Sequence, residues 1–161
     1  MRLFCDLDCT LNNAYIRIKE CSSKGECNWS LAYSPERLML DEPNALGRIF
    51  LKRFKGIHKI IIITARNFNN ARDLTQNWLD DNGFPYDELV LVKKPSDKIK
   101  YLKKNDFLID DFSRGHENFA PYKCLDWETI NELNVKNKNY YIFDGNWEFV
   151  SVALETHLER I

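Results

Sequence analysis

Four short apolar runs, Arg2 to Leu7, Lys59 to Ile63, Glu88 to Val92 and Asp106 to Ile109, are separated by segments whose apolar positions recur at helical spacing. Runs of this length between polar residues predict strands, and their alternation with helices predicts an α/β fold with a central parallel sheet. Between Glu42 and Lys55, Leu46, Ile49, Phe50 and Phe54 alternate with Arg48, Lys52, Arg53 and Lys55, an amphipathic pattern with Gly56 positioned to end it. A second helix is predicted over about Asn70 to Asn82, with Ala71, Leu74, Trp78 and Leu79 on one face and Gly83 and Pro85 closing it. A short helix from about Ser96 to Lys104 follows Pro95, with Ser96 as its cap. Near the end, Tyr140 to Phe143 reads as a strand and Asp144-Gly145 as a turn. Trp147, Val150, Leu154, Leu158 and Ile161 form one face of a last helix that closes the core. Asn12 to Asp41 is the least regular stretch.

With 161 residues and 44% hydrophobic content, the chain suits one buried core, read as a single domain over 1–161. Its apolar runs are far shorter than the ~20 residues of a membrane helix, and no signal-peptide pattern opens it, so a cytoplasmic location and no membrane partner are expected. The five cysteines are odd in number and none form a C-x-x-C pair, so they read as reduced thiols; Cys21 and Cys27 are near enough in sequence to meet in one loop. A formal net charge of -1 excludes coating of nucleic acid by bulk electrostatics. Lysines crowd the segment from Lys93 to Lys104, which could form a basic face for phosphates.

The candidate chemistry lies at the ends of the strands. Asp6-Leu7-Asp8-Cys9-Thr10 follows the first apolar run, and side chains two apart on an extended chain project to one side, so both carboxylates can face one site. Such a pair of like charges persists when a cation or phosphoryl group balances it, and magnesium suits a few carboxylates with water and phosphate oxygens. The second run ends in Thr64-Ala65-Arg66 and the fourth in Asp110-Asp111. In open parallel sheets ligands bind at the carboxyl ends of the strands, so Asp6, Asp8, Thr64, Asp110 and Asp111 are expected to converge. Lys98, ahead of the Asp110 strand, can reach that acidic site and offset its charge, with Lys93 and Lys94 as competitors.

In this order, Asp6-Leu7-Asp8-Cys9-Thr10, Thr64, Lys98 and Asp110-Asp111 resemble the four signature motifs of the haloacid dehalogenase superfamily. The resemblance implies a Rossmann-like three-layer sandwich and magnesium-dependent hydrolysis of phosphate monoesters through an aspartyl-phosphate. It makes Asp6 the nucleophile, Asp8 the general acid and base, Thr10 and Thr64 substrate ligands and Lys98 the charge-neutralising lysine. The metal set would be Asp6, Asp8, Asp110 and Asp111. Most phosphatases of that superfamily carry glycine where this chain has Cys9.

Ala65 to Val92 leaves no room for a large cap, and only 12–41 could serve as a small lid, so an open site for a bulky substrate is expected. Arg17, Thr64-Ala65-Arg66, the run from Trp78 to Tyr86 and Asp110-Asp111 resemble the phosphatase domain of viral polynucleotide kinase/phosphatase enzymes. That resemblance implies Arg17, Ala65 and Arg66 in the substrate site, and a nucleotide or 3'-phosphorylated nucleic-acid end as substrate. The 5'(3')-deoxyribonucleotidases are the neighbouring reading. Trp29 and Tyr33 are candidates for lid packing or base stacking, and His116, which follows the Asp110-Asp111 pair, reads as an ordinary surface histidine with approach to the site as the alternative. No phosphate-binding G-x-x-x-x-G-K-S/T loop of a kinase is present. The alternative of another class is a catalytically silent module of the same fold that binds nucleic acid or a protein. Oligomeric state stays open.

Overall fold

A computed structural model describes residues 1–118 and 124–161. Strands β1 (Arg2–Cys5), β4 (Lys59–Thr64), β5 (Glu88–Leu91), β6 (Phe107–Asp110) and β7 (Asn139–Ile142) form one parallel sheet in the order β5-β4-β1-β6-β7. The remaining strands, β2 (Ser22–Ser23) and β3 (Glu26–Cys27), make a small antiparallel hairpin. β1 is central, with Cys5 in register with Ile62 on one side and Ile109 on the other. Its side chains alternate between faces, so Leu3 and Cys5 enter one core and Phe4 the other.

The first core packs against α4 (Ala45–Phe54), α5 (Ala71–Asp81) and α7 (Trp147–Arg160). The second packs against a 3-10 helix, Pro95–Tyr101, and α6 (Trp127–Val135). The protein is therefore an α/β three-layer sandwich around a five-stranded parallel sheet. The stretch between β1 and α4 is more ordered than its sequence suggests. It holds α1 (Ala14–Glu20), the β2–β3 hairpin, α2 (Trp29–Ala32) and α3 (Pro35–Leu38).

Three helical readings change in detail. In α4 the buried face is Gly47, Phe50, Leu51 and Phe54, while Leu46 and Ile49 are exposed. The cause is α7: a Cβ on Gly47 would lie 2.6 Å from the Trp147 ring, so only glycine lets the two helices meet there. In α7, His157 replaces Ile161 on the buried face. The helix after Pro95 is 3-10 rather than α, and at its start the Asp97 side chain accepts from the Lys94 N–H, with Ser96 inside the helix rather than capping it. Helix α6, with buried Thr129, Ile130 and Leu133, has no strong sequence periodicity. No helix among the described residues is long and apolar enough to cross a membrane.

Candidate functional site

Because all five strands run the same way, β1, β4 and β6 deliver Asp6, Thr64 and Asp110 to one edge of the sheet. The edge opens into a cavity of about 750 Å³ lined by Asp6, Asp8, Thr64, Lys98, Asp110 and Asp111, among others. Two charge clusters sit side by side at its base.

In the first, Lys98 Nζ donates to Asp6 Oδ1 at 2.7 Å and to Asp110 Oδ2 at 2.6 Å. Lys98 lies within the 3-10 helix Pro95–Tyr101 and is only 3% exposed, so its charge is held by the two carboxylates rather than by solvent. Burial alone would lower its pKa; Asp110 and Asp6 reverse that and raise it. Phe112 N–H donates to Asp110 Oδ1 at 2.8 Å. Thr10 Oγ1 stands 3.4 Å from Asp6 Oδ2 and 3.5 Å from Asp111 Oδ1. One ligand oxygen from each of Asp6, Asp110 and Asp111 lies within 4.8 Å of the others. Burial first, then the Asp110 charge, pushes Asp6 up to about 7 against the pull of Lys98. Asp111 is raised well above the carboxylate range by burial, Asp6 and Asp110. Three buried carboxylates thus gather beside one lysine, which bonds two of them, Asp6 and Asp110, an all-oxygen donor set short of positive charge that could hold a hard divalent cation.

The second cluster is balanced. Arg66 forks onto Asp8, Nε to Oδ2 at 2.9 Å and Nη2 to Oδ1 at 2.7 Å, while its Nη1 donates to Thr75 Oγ1. Arg17 donates to Asp8 Oδ1 at 3.0 Å, to both Asp41 oxygens and to the Ala32 carbonyl. Burial would raise the Asp8 pKa, but Arg66 and then Arg17 outweigh it and hold the carboxyl well below the usual range. Asn12 donates to Asp8 and Asp41, and the Trp78 indole N–H donates to the Asp41 carbonyl, tying 12–41 to α5.

Several sequence readings are corrected by this arrangement. Asp8 does not join the three-carboxylate cluster with its side chain, because both of its oxygens are taken by arginine. Arg17 is neither a surface salt bridge nor on the cavity wall: it is buried behind Asp8. Thr10 is fully buried beneath the carboxylates rather than on the wall. Ala65 and Arg66 do line the cavity, with Lys93 and Lys94 nearby. Asp41 and Asn12 were not singled out; each is one polar residue in an irregular stretch, with no local pattern to mark it.

His116 is buried, not a surface histidine, and its Nε2 lies 3.3 Å from Cys9 Sγ and 3.6 Å from Asp111 Oδ2. No disulfide joins any of the five cysteines, Cys21 and Cys27 included. Trp29 and Tyr33 both line the cavity, with ring centroids 6.2 Å apart. Tyr33 is packed between Phe68 and the Arg17 guanidinium, whereas Trp29 is 41% exposed.

No family model matches the chain, and no curated protein matches it. Two solved structures are similar in fold. A chain in the structure of a Pnkp1/Rnl/Hen1 complex gives a TM-score of 0.51 at 20% identity, covering 88% of this chain and 45% of that one. A chain in the structure of the Pnkp1/Rnl/Hen1 RNA repair complex gives 0.54 at 18% identity, covering 88% and 42%. This chain therefore spans less than half the length of the solved chains it resembles. At such identity the likeness is one of fold, an α/β sandwich also found in an RNA repair assembly.

Proposed function

We propose that the protein is a magnesium-dependent phosphomonoesterase of the haloacid dehalogenase type that acts on nucleic-acid 3'-phosphate ends or nucleotides. The observation that carries this reading is the gathering of Asp6, Asp110 and Asp111 round one lysine at the carboxyl edge of the sheet. Residues 1–161 would act as one catalytic domain, with 12–41 as its small lid.

A magnesium ion held by Asp6, Asp110 and Asp111 would supply the missing positive charge, lowering the pKa of Asp6 and countering the negative charge of phosphoryl oxygens. Asp6 attacks phosphorus through a carboxylate oxygen, the ester oxygen leaves, and Asp8 gives that oxygen its proton. Water then attacks the phosphorus of the aspartyl-phosphate, loses its proton to Asp8, and frees both phosphate and the Asp6 carboxylate. Lys98 offsets charge at Asp6 in both steps, and Thr64 is the phosphoryl-oxygen ligand from β4. With two arginines on it, Asp8 is held as the base; its acid role requires Arg66 to turn from Asp8 to the arriving phosphate, which lets the carboxyl take a proton.

The open cavity, the half-exposed Trp29 ring and the exposed Lys93 and Lys94 support a substrate with a base to stack and further phosphates to bind. Stacking of this kind contributes about 1 to 3 kcal/mol per base. The likeness in fold to chains of an RNA repair assembly is consistent with end processing. The test compares phosphate release from a 3'-phosphorylated oligonucleotide, its unphosphorylated control and mononucleotides, with magnesium and with EDTA. Magnesium-dependent release is expected, faster from the oligonucleotide. Release from none of them would sink the hydrolytic reading in favour of a silent binding module.

A further inference from the structure

Cys9 sits in the left-handed region of backbone space, at φ 66°, where glycine is the comfortable residue. A side chain there costs about 1 to 2 kcal/mol, so a thiol held in that conformation asks for a reason. Its sulfur faces His116, which a second left-handed turn at Phe112 and Ser113 brings back towards the sheet edge. Cys9 Sγ is 3.3 Å from His116 Nε2, and that nitrogen is 3.6 Å from Asp111 Oδ2. Ligand atoms of the three lie within 4.8 Å of one another. Zinc bonds of about 2.0 to 2.3 Å set tetrahedral ligands about 3.3 to 3.8 Å apart, close to both of these separations.

We propose that Cys9, His116 and Asp111 form a second cation site, for zinc or a similar thiophilic transition metal, beside the three-carboxylate cluster. The donor chemistry separates the two sites. Thiolate and imidazole favour zinc or cobalt over magnesium, whereas a set of carboxylates alone favours the harder ion. Three protein ligands leave a fourth tetrahedral position, as in sites that take water or a substrate atom there. All three residues line both the main cavity and a neighbouring one, which has Asn12, Arg114 and Asp144 among its other walls.

Asp111 belongs to both groups. Its Oδ2 lies 3.6 Å from His116 and its Oδ1 3.5 Å from Thr10, so one carboxylate serves both groups. An ion at one site competes for the charge and orientation of the carboxylate used by the other. Zinc is therefore expected to weaken magnesium binding, and magnesium to weaken zinc binding by the same factor.

The test titrates the full chain with cobalt(II), first without magnesium and then with it, and reads the near-ultraviolet sulfur-to-cobalt charge-transfer band. The wild type should give the band, zinc should abolish it by displacement, and both Cys9→Gly and His116→Ala should lose it. Glycine adopts the Cys9 backbone without strain, so Cys9→Gly should retain the fold by circular dichroism; Cys9→Ser supplies the same reading if it does not. No band in the wild type, or an undiminished band in the Cys9 variants, overturns the site. No substrate is needed, so absence of the band leaves the hydrolytic reading standing, and absence of hydrolysis leaves the metal site standing.

Discussion

The two charge clusters at the sheet edge share a boundary but not a charge balance. Around Lys98, three buried carboxylates meet one cation; around Asp8, the carboxylates of Asp8 and Asp41 meet the guanidinium groups of Arg17 and Arg66. Removing two opposite charges from water together is tolerable when every lone pair and proton finds a partner, as the forked contacts of Arg66 and Arg17 achieve. The Lys98 cluster has no such closure, and burial with the neighbouring carboxylates raises Asp6 to about 7 and Asp111 well above the carboxylate range. The contrast is that both Asp8 oxygens are held by arginine, while the three carboxylates beside Lys98 could take up further positive charge.

The largest expected effect breaks the unbalanced side at its proposed nucleophile. Asp6→Asn should cut phosphate release on the order of 10⁴-fold or more, by loss of the covalent step. Its metal-free melting temperature should stay level or rise, because the variant removes one of three repelling charges. Retained hydrolysis would remove Asp6 from the mechanism.

Next come two cation deletions that the contrast separates. Lys98→Met and Arg66→Met each strip a cation from a buried carboxylate, and each should cost about 3 to 5 kcal/mol in urea unfolding without metal. Magnesium should restore much of the loss for Lys98→Met and none for Arg66→Met. Equal recovery in both would erase the distinction between the clusters.

A smaller effect is expected from pH. Without metal, native Asp6 keeps its proton up to about 7, whereas an unfolded aspartate releases it near 3.8. Between those values the native state binds more protons than the unfolded chain, so stability should fall as pH rises, by a few kcal/mol at most. Asp8 has the opposite sign. Its depressed native value gives a contribution present above about pH 4 and lost only as acid takes the pH further down. Urea unfolding at several pH values, with EDTA and then magnesium, should show the decline disappear with the metal.

The smallest change tests how complete the clamp is. Thr75→Val removes the hydroxyl that accepts from Arg66 Nη1 and should cost about 1 to 2 kcal/mol with little change of shape.

Much of this organisation is legible in the chain. The four apolar runs and the strand reading at Tyr140 to Phe143 mark the five sheet strands to within two residues; the central ones are continuously apolar because both of their faces are buried. Asp6, Asp110 and Asp111 are legible too, since polar residues at the end of such a run emerge at the sheet edge, and Lys98 is legible from its place in the short helix ahead of the Asp110 strand. The Arg17 and Asp41 pair is not: its partners are 24 residues apart in a segment without periodicity. Burial of His116 depends on Cys9, 107 residues away, and on left-handed turns at Phe112 and Ser113, positions with no glycine to announce them. Leu46 and Ile49 mislead for the converse reason, since helical spacing marks an apolar face without saying which part a neighbour will cover.

By itself, the sequence determined the strand-and-helix alternation, the parallel sheet and the gathering of acidic residues with a lysine at one edge. Those follow from periodicity and from the direction of parallel strands, both local properties repeated along the chain. The tertiary structure alone decided which carboxylate each cation takes, leaving Asp8 clamped and Asp6 short of charge, and brought Cys9, His116 and Asp111 together. Charge balance in a buried site depends on distances of a few ångströms between residues remote in sequence, and spacing along the chain carries no record of them.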